Sequence, residues 1–243
     1  MDFIALVTAR SGSKSIIDKN LQKIEDRTLI EWSIKSCQKS KLIQDIYLST
    51  DSENYAEIGI KSGIKVPYLR PRELAQDTTT DLEVFLDFTK FMVSNLFTPK
   101  FIVHIRPTSP TRNPIVLDAA IVEFLKIEKE ITSLRSIQEM SESAYKCFEL
   151  NSSNLLNPIG EKVDLNQTNA PRQSFPKTYT ANGYVDIVKF DYFNTSKSLH
   201  GDKIHGFVTE NIHEIDNPDD LEFVRWQVKN KPELYEVVFG ENN

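Results

Sequence analysis

Short apolar runs alternate with stripes of apolar residues at helical spacing. Phe3–Thr8 is a brief apolar run of the kind a buried strand needs. The period then changes. Ile30, Ile34 and Cys37 fall on one helical face, and Thr28 with Glu31 three residues later has the spacing of a capping box. Residues 46–50 predict a second strand, after which Ser52 can cap a helix that Gly63 closes in a left-handed conformation. Residues 64–69 predict a third short strand. Leu82, Phe85, Thr89, Met92 and Leu96 recur at three- and four-residue steps and predict a helix. Phe101–Ile105 is again an apolar strand. Asn113-Pro114 places a cap residue before the residue favoured at the first helical position, and Ile121, Phe124 and Leu125 follow on that helix. Residues 132–137 return to strand.

This order predicts an α/β protein, a three-layer, doubly wound, Rossmann-like fold on a mostly parallel sheet. Ligands of such sheets bind at the C-terminal strand ends, so the loops after strands are where chemistry is expected. The pattern changes after residue 138. Residues 151–182 are rich in Asn, Pro, Ser, Thr and Gln and show little periodicity. Residues 184–190 and 212–215 predict two further strands, and 218–228 a closing helix. The expected division is an α/β domain of residues 1–137 and 191–243, interrupted by a small inserted subdomain of residues 138–190.

Composition narrows the class. The 243 residues are 40% hydrophobic and 26% charged, ordinary for a globular chain and unlike a disordered, collagenous or coiled-coil sequence. No run approaches the 18 apolar residues of a membrane span, so no membrane partner is expected. The formal net charge of -6 argues against a nucleic-acid partner. Two cysteines, Cys37 and Cys147, read as reduced thiols, and the first residues lack a basic leader; both point to a cytoplasmic protein. None of the four histidines has the spacing of a zinc ligand, and no G-x-S-x-G elbow is present.

Chemistry concentrates after the first strand, in Thr8-Ala-Arg-Ser-Gly-Ser-Lys14 and on to Lys19-Asn20. Ser11, Gly12 and Ser13 suit a tight loop whose backbone N–H groups face an anion. Arg10, Lys14 and Lys19 add three cations within ten residues. The glycines of a Walker A or dinucleotide fingerprint are missing. Near the other end, Glu214 and Asp216 lie two residues apart on a short expected strand, which would turn both carboxylates to one side, as a hard cation such as Mg²⁺ prefers.

The stretch Ala9-Arg10-x-Gly12-Ser13-Lys14-x-Ile16-x-x-Lys19-Asn20 resembles the signature of the acylneuraminate cytidylyltransferase family, the CMP-sialic acid synthetases. Further blocks are similar in the same order: Ser49-Thr50-Asp51, Arg70-Pro71 through Asp77-Thr78, Arg106-Pro107-Thr108-Ser109-Pro110-x-Arg112, Tyr145-Lys146, Pro171-Arg172-Gln173 through Asn182-Gly183, and Ile215-Asp216 through Leu221. The resemblance implies a nucleotidyltransferase that joins CTP to a nine-carbon acidic sugar and releases pyrophosphate. It implies that Ala9, Arg10, Gly12, Ser13, Lys14, Lys19, Asn20, Arg70 and Asp77 bind the nucleotide. It gives Arg106, Thr108, Ser109, Lys146, Arg172, Gln173, Asn182 and Tyr184 to the sugar substrate. It makes Arg10, Lys19 and Asp216 catalytic, with Asp216 and Glu214 holding Mg²⁺. It also implies a homodimer built on the inserted segment, and leaves open whether Arg172 serves its own site or the partner's.

The chain departs from the family pattern at several positions. Thr8 stands where Pro is usual, Ser15 for Gly, Arg106 for Gln, Thr111 for Leu and Glu214 for Asp. An added cation at Arg106 would change which sugar is accepted, so sialic, legionaminic and pseudaminic acid types are all open. The rival readings are an octulosonate (Kdo-type) cytidylyltransferase, a glycosyltransferase using Asp51-Ser-Glu53 as its metal motif, and a nucleotide-binding protein without turnover.

Overall fold

Six strands share one sheet because their side chains divide between two apolar layers. The computed structural model describes residues 2–159 and 164–240. In chain order its elements are β1 (Phe3–Thr8), the two-residue strands β2 (Lys23–Ile24) and β3 (Arg27–Thr28), α1 (Leu29–Lys39), β4 (Asp45–Ser49), α2 (Glu53–Lys61), α3 (Asp81–Ser94), β5 (Phe101–Ile105), α4 (Pro114–Ile127), β6 (Ser133–Glu139), the hairpin β7 (Phe148–Leu150) and β8 (Leu156–Pro158), β9 (Tyr179–Lys189), α5 (Phe190–Ser196), β10 (Ile204–Val208), α6 (Pro218–Asn230) and α7 (Glu233–Phe239). The large sheet runs β10-β6-β9-β5-β1-β4. Only β9 is antiparallel to its neighbours. The expected three-layer, mostly parallel architecture is therefore present.

Alternation along β1 shows the layering. Ala5 and Val7 pack with Ile30 and Ile34 of α1 and Leu117, Ile121 and Phe124 of α4. Ile4 and Leu6 point the other way, onto Phe85, Phe88 and Met92 of α3 and Phe190 and Phe193 of α5. All these side chains are buried. Each Leu, Ile or Phe removed from water contributes roughly 1.5–3 kcal/mol. A third cluster joins Trp32 to Leu221, Val224 and Val228 of α6 and Val238 of α7.

The helix starts follow the predicted caps. Thr28 and Glu31 exchange both capping-box hydrogen bonds, Ser52 caps α2, and Asn113 caps α4 ahead of Pro114. Gly63 takes a φ of 77°, as its helix-closing place requires.

Four expectations are corrected. Residues 64–69 form only isolated bridges, Tyr47 with Lys65 and Thr50 with Leu69. Leu96 lies past the end of α3, left-handed and fully exposed. Residues 212–215 are not a strand; the edge strand there is β10. Ile212 and Ile215 are buried in two different clusters. The inserted segment cannot extend to residue 190, because β9 pairs with both β5 and β6 and is part of the main sheet. What leaves that sheet is residues 140–178, of which 160–163 lie outside the described residues.

Candidate active site

The loop after β1 is pinned before it reaches the ligand side. Ala9 donates its N–H to Ser49 O at 3.0 Å. Asp51, at the end of β4, accepts from Ser11 N at 2.8 Å and from Ser11 Oγ at 2.6 Å. Asp51 therefore shapes the loop, while Ser52 does the capping. Gly12 has a φ of 69°, a left-handed conformation that glycine adopts without cost. Asn20 is buried and donates from Nδ2 to Arg10 O at 3.1 Å.

The three loop cations are held differently. Arg10 and Lys14 both reach the Asp77 carboxylate, at 2.6 and 2.5 Å. Asp77 is held below the usual carboxylate range by those two hydrogen bonds, from Lys14 and then Arg10. It is thus the counter-ion of the two cations. Lys19 is nearly buried and donates to Ile215 O at 2.9 Å, with Asp216 Oδ1 at 3.4 Å. This contact brings the first and last expected catalytic segments together across 196 residues of sequence.

A cavity of about 220 Å³ opens beside this loop, lined by Thr8, Arg10, Ser13, Lys19, Asn20, Arg70, Leu74, Thr79, Asp81, Val84, Arg106, Pro107 and Thr108. Arg10 and Arg70 also line a larger, open neighbour of about 960 Å³ that contains Lys14, Asp51 and Asp77. Arg70 is 5% exposed, and its Nε and Nη2 have no hydrogen-bond partner. A buried guanidinium with unmet donors is costly unless something accepts from it.

Arg106 faces the same cavity but is not a free cation. Its Nη1 donates to Asp186 Oδ2 at 2.9 Å and its Nη2 to Asp81 Oδ2 at 2.7 Å. Both carboxylates raise its pKa against the opposing effect of burial. Asp186 sits in the middle of β9, 1% exposed. Burial alone would raise its pKa, but the hydrogen bond with His200 and the charge of Arg106 outweigh that and hold it below the usual range. His104 is fully buried and shares a 2.9 Å hydrogen bond between Nε2 and Thr8 Oγ1. Desolvation, then the charge of Arg106, pushes it down to about 3, so the ring is neutral.

Behind the cavity the protein consumes its own polar groups. Arg112 is fully buried, and its Nε donates to Tyr184 O at 2.6 Å, Nη1 to Ser33 Oγ at 3.1 Å and Nη2 to Gly183 O at 2.8 Å and to Arg106 O. Tyr184 Oη accepts from Asn113 N. Ser109 Oγ donates to Asn182 O at 3.2 Å, and Asn182 Nδ2 to Thr209 Oγ1 at 2.6 Å. Ser109, Asn182 and Tyr184 are buried. They form the wall that carries the site, through a bulge where five β9 residues span what two span on β6. Gly183, at φ 63°, makes the turn; a Cβ there would lie 3.0 Å from Ser109 Oγ and 3.3 Å from Glu214 Oε1.

Glu214 and Asp216 do not share a strand face. Glu214 Oε1 accepts from Thr108 Oγ1 at 2.9 Å, while Ile215 N donates to Thr108 O at 2.8 Å. Asp216 has a side chain 72% exposed. No group of three His, Cys, Asp or Glu side chains that could hold a metal ion occurs among the described residues. The donor set still fits Mg²⁺, which usually takes one or two carboxylates and completes its shell with water and substrate phosphate.

Lys146, Arg172 and Gln173 lie elsewhere. Arg172 donates to Glu139 Oε1 at 2.8 Å and Met140 O at 2.9 Å, and with Gln173 lines a separate depression. Lys146 ends a short 3₁₀ turn, residues Ala144–Lys146, rather than standing on a strand. Four residues that organise the site, Asp51, Asp81, Arg112 and Asp186, were not among the expected site residues. Asp186 carried a signal: it is the only charge between Val185 and Val188 in an otherwise apolar stretch.

A phosphate-ready loop and a charged cavity at the C-terminal ends of a doubly wound sheet define a nucleotide-binding α/β protein. The chain belongs to the Cytidylyltransferase family, whose model matches residues 4–190. It is 28% identical over 226 residues to a CMP-N,N'-diacetyllegionaminic acid synthase of Legionella pneumophila, covering 90% of this chain and 93% of that one. It is 27% identical over 233 residues to a pseudaminic acid cytidylyltransferase of Campylobacter jejuni, covering 93% and 95%. Its fold matches a CMP:2-keto-3-deoxy-manno-octonic acid synthetase complexed with CTP, with a TM-score of 0.70 at 13% identity over 95% of this chain and all of that one. No helix of the described residues is long and apolar enough to cross a membrane.

Proposed function

We propose that the protein joins CTP to a nine-carbon acidic sugar of the sialic, legionaminic or pseudaminic acid type, giving the CMP-sugar and pyrophosphate. The observation that carries this reading is the convergence of Arg10, Lys19, Arg70 and Thr108 on one cavity, in a chain whose relatives are named for that chemistry. The sugar's anomeric hydroxyl attacks the α-phosphorus. A new O–P bond forms as the bond from the α-phosphorus to the oxygen bridging it to the β-phosphate breaks; the hydroxyl proton passes to solvent and pyrophosphate leaves with the electron pair of the broken bond. Such transfers depend on positioning and charge neutralisation. Arg10, Lys14 and Lys19 hold the leaving phosphates, and the loop N–H groups of Gly12 and Ser13 cradle them.

Asp216 and Glu214 are the residues that would hold Mg²⁺. Bound there, the ion would neutralise phosphate charge. Lys19 holds the backbone of that segment, so the same side chain links phosphate binding to the carboxylates. Arg172, Gln173 and Lys146 lie too far round the surface to join this cavity's lining, and we assign them to the active site of a partner subunit in a cytoplasmic homodimer. Exposed Leu150, Leu155 and Leu156 on the β7–β8 hairpin support that assembly.

Incubation of the protein with CTP, Mg²⁺ and a panel of nonulosonates and one octulosonate tests the reading, with products read by mass spectrometry. A CMP-nonulosonate with matching pyrophosphate is expected. Turnover of the octulosonate alone would establish the Kdo-type reading. CTP binding without any product would leave a nucleotide-binding protein.

A further inference from the structure

We propose that His200 is a positioning residue for the sugar side of the reaction, holding Asp186 turned toward Arg106 and away from Arg135; this rests on the CMP-sugar reading above. Arg106 lines the cavity at its inner end, away from the phosphate loop that carries Arg10 and Lys19. With the leaving phosphates held at the loop end, in-line attack brings the acceptor sugar to the side of Arg106.

A carboxylate in the middle of an interior strand is costly unless it is paired. Asp186 lies in a row across the sheet with its register partners, His104 on β5 and Arg135 on β6. His104 is neutral and engaged with Thr8. That leaves Arg106, His200 and Arg135 around the carboxylate. Asp186 Oδ2 accepts from Arg106 Nη1 at 2.9 Å and from His200 Nε2 at 3.4 Å. Oδ1 faces Arg135 Nε at 3.8 Å, too far for a hydrogen bond. An ionised carboxylate only accepts, so His200 carries a proton on Nε2.

Arg135 Nε is buried and has no hydrogen-bond partner. An unmet buried donor beside a carboxylate pulls on it. Two arrangements of Asp186 therefore compete. In one, Oδ2 serves Arg106 and His200 together. In the other, the carboxylate closes on Arg135 and lets Arg106 go. The first is the one present, and His200 supplies the second donor on that side. The backbone of His200 is fixed. Its carbonyl accepts from Thr132 Oγ1 at 2.6 Å and Ser133 Oγ at 2.8 Å. Gly201 follows at a φ of 77°, where a Cβ would lie 2.6 Å from Tyr192 Oη. One buried carboxylate thus ties the α5–β10 connection to a side chain of the cavity.

The competition between donors provides a test that a merely structural histidine does not pass. KM for the nonulosonate is measured by steady-state kinetics, and CTP affinity by calorimetric titration. His200→Ala should raise the sugar KM by about 3–10-fold, the value of one hydrogen bond, with CTP affinity changed less than about twofold. His200→Gln, whose amide still donates, should stay near the wild type. Adding Arg135→Met to His200→Ala should recover most of the loss, because the competing donor is gone. Melting temperatures show that the variants are folded. Failure of Arg135→Met to rescue, or a His200→Gln loss as large as that of His200→Ala, overturns the assignment. A crystal structure of His200→Ala reads the same point without turnover. Asp186 Oδ1 within hydrogen-bond reach of Arg135 Nε supports the assignment, and an unmoved carboxylate overturns it. Wild-type protein that forms no CMP-nonulosonate overturns the reading above, and the crystal structure then still decides what holds Asp186.

Discussion

The two ends of the cavity solve the problem of charge in opposite ways. At the phosphate end, Arg10 and Lys14 sit on an exposed loop and share a carboxylate that a ligand can displace. At the inner end, Arg106, Asp81 and Asp186 are locked together, with Asp186 almost fully buried. Exposed pairs contribute little to stability and are free to exchange partners; buried ones are costly to break and fix geometry. The first end is built to bind charge, the second to hold a shape.

The sharpest way to break this contrast is to remove the buried anion. Asp186→Ala leaves Arg106 and Arg135 facing a void without their carboxylate. The expected loss is about 3–5 kcal/mol of stability, measured by urea denaturation. A loss under ~1 kcal/mol would show that the inner end is no more rigid than a surface pair.

Arg10→Ala tests the other end. Stability should change by less than about 1 kcal/mol, since the pair with Asp77 is exposed. CTP affinity should fall by about 10–100-fold, the value of a hydrogen bond to a charged group, and the deficit should shrink at high salt. Unchanged CTP affinity would remove the loop from the binding site.

His104 gives the inner end a pH dependence between pH 7 and pH 5. The folded ring titrates at about 3, below the ordinary value of 6.5. A depressed value means the folded state binds the proton less readily than the unfolded chain. Full stability is therefore present above pH 6.5 and declines as pH falls from there toward 3. The cost is on the order of 2 kcal/mol at pH 5. His104→Gln should flatten the fall in melting temperature between pH 7 and pH 5.

The same contrast decides what the sequence reveals. Arg10, Lys14 and Lys19 fall within one loop, so a local pattern suffices to mark an anion site. The alternating strands and helices were legible for the same reason, because caps and periodicity act over a few residues. Arg70, Asp81, Arg106 and Asp186 come from four separate elements, and only the closed sheet brings them together. Arg106 shows the difference most clearly. Read alone it was an added cation able to alter sugar choice; in place, two carboxylates neutralise it and turn it into a brace for Asp81. Glu214 and Asp216 misled in the opposite sense. Their spacing suggested one strand face, but irregular backbone sends Glu214 to Thr108 and leaves Asp216 in solvent beside Lys19.

The smallest effect bears on how the phosphate end waits for its ligand. Asp77 satisfies Arg10 and Lys14 together, at 2.6 and 2.5 Å, and keeps the two side chains ordered over the cavity mouth. A triphosphate must compete with that carboxylate, so Asp77 weakens binding by occupying the cations and strengthens it by arranging them in advance. Asp77→Asn removes the charge and keeps a group of the same shape. If competition dominates, pyrophosphate and CTP should bind a few-fold more tightly to the variant, with a steeper dependence on salt. Weaker binding would mean that ordering dominates, and the phosphate end would then rely on a fixed internal pair much as the inner end does.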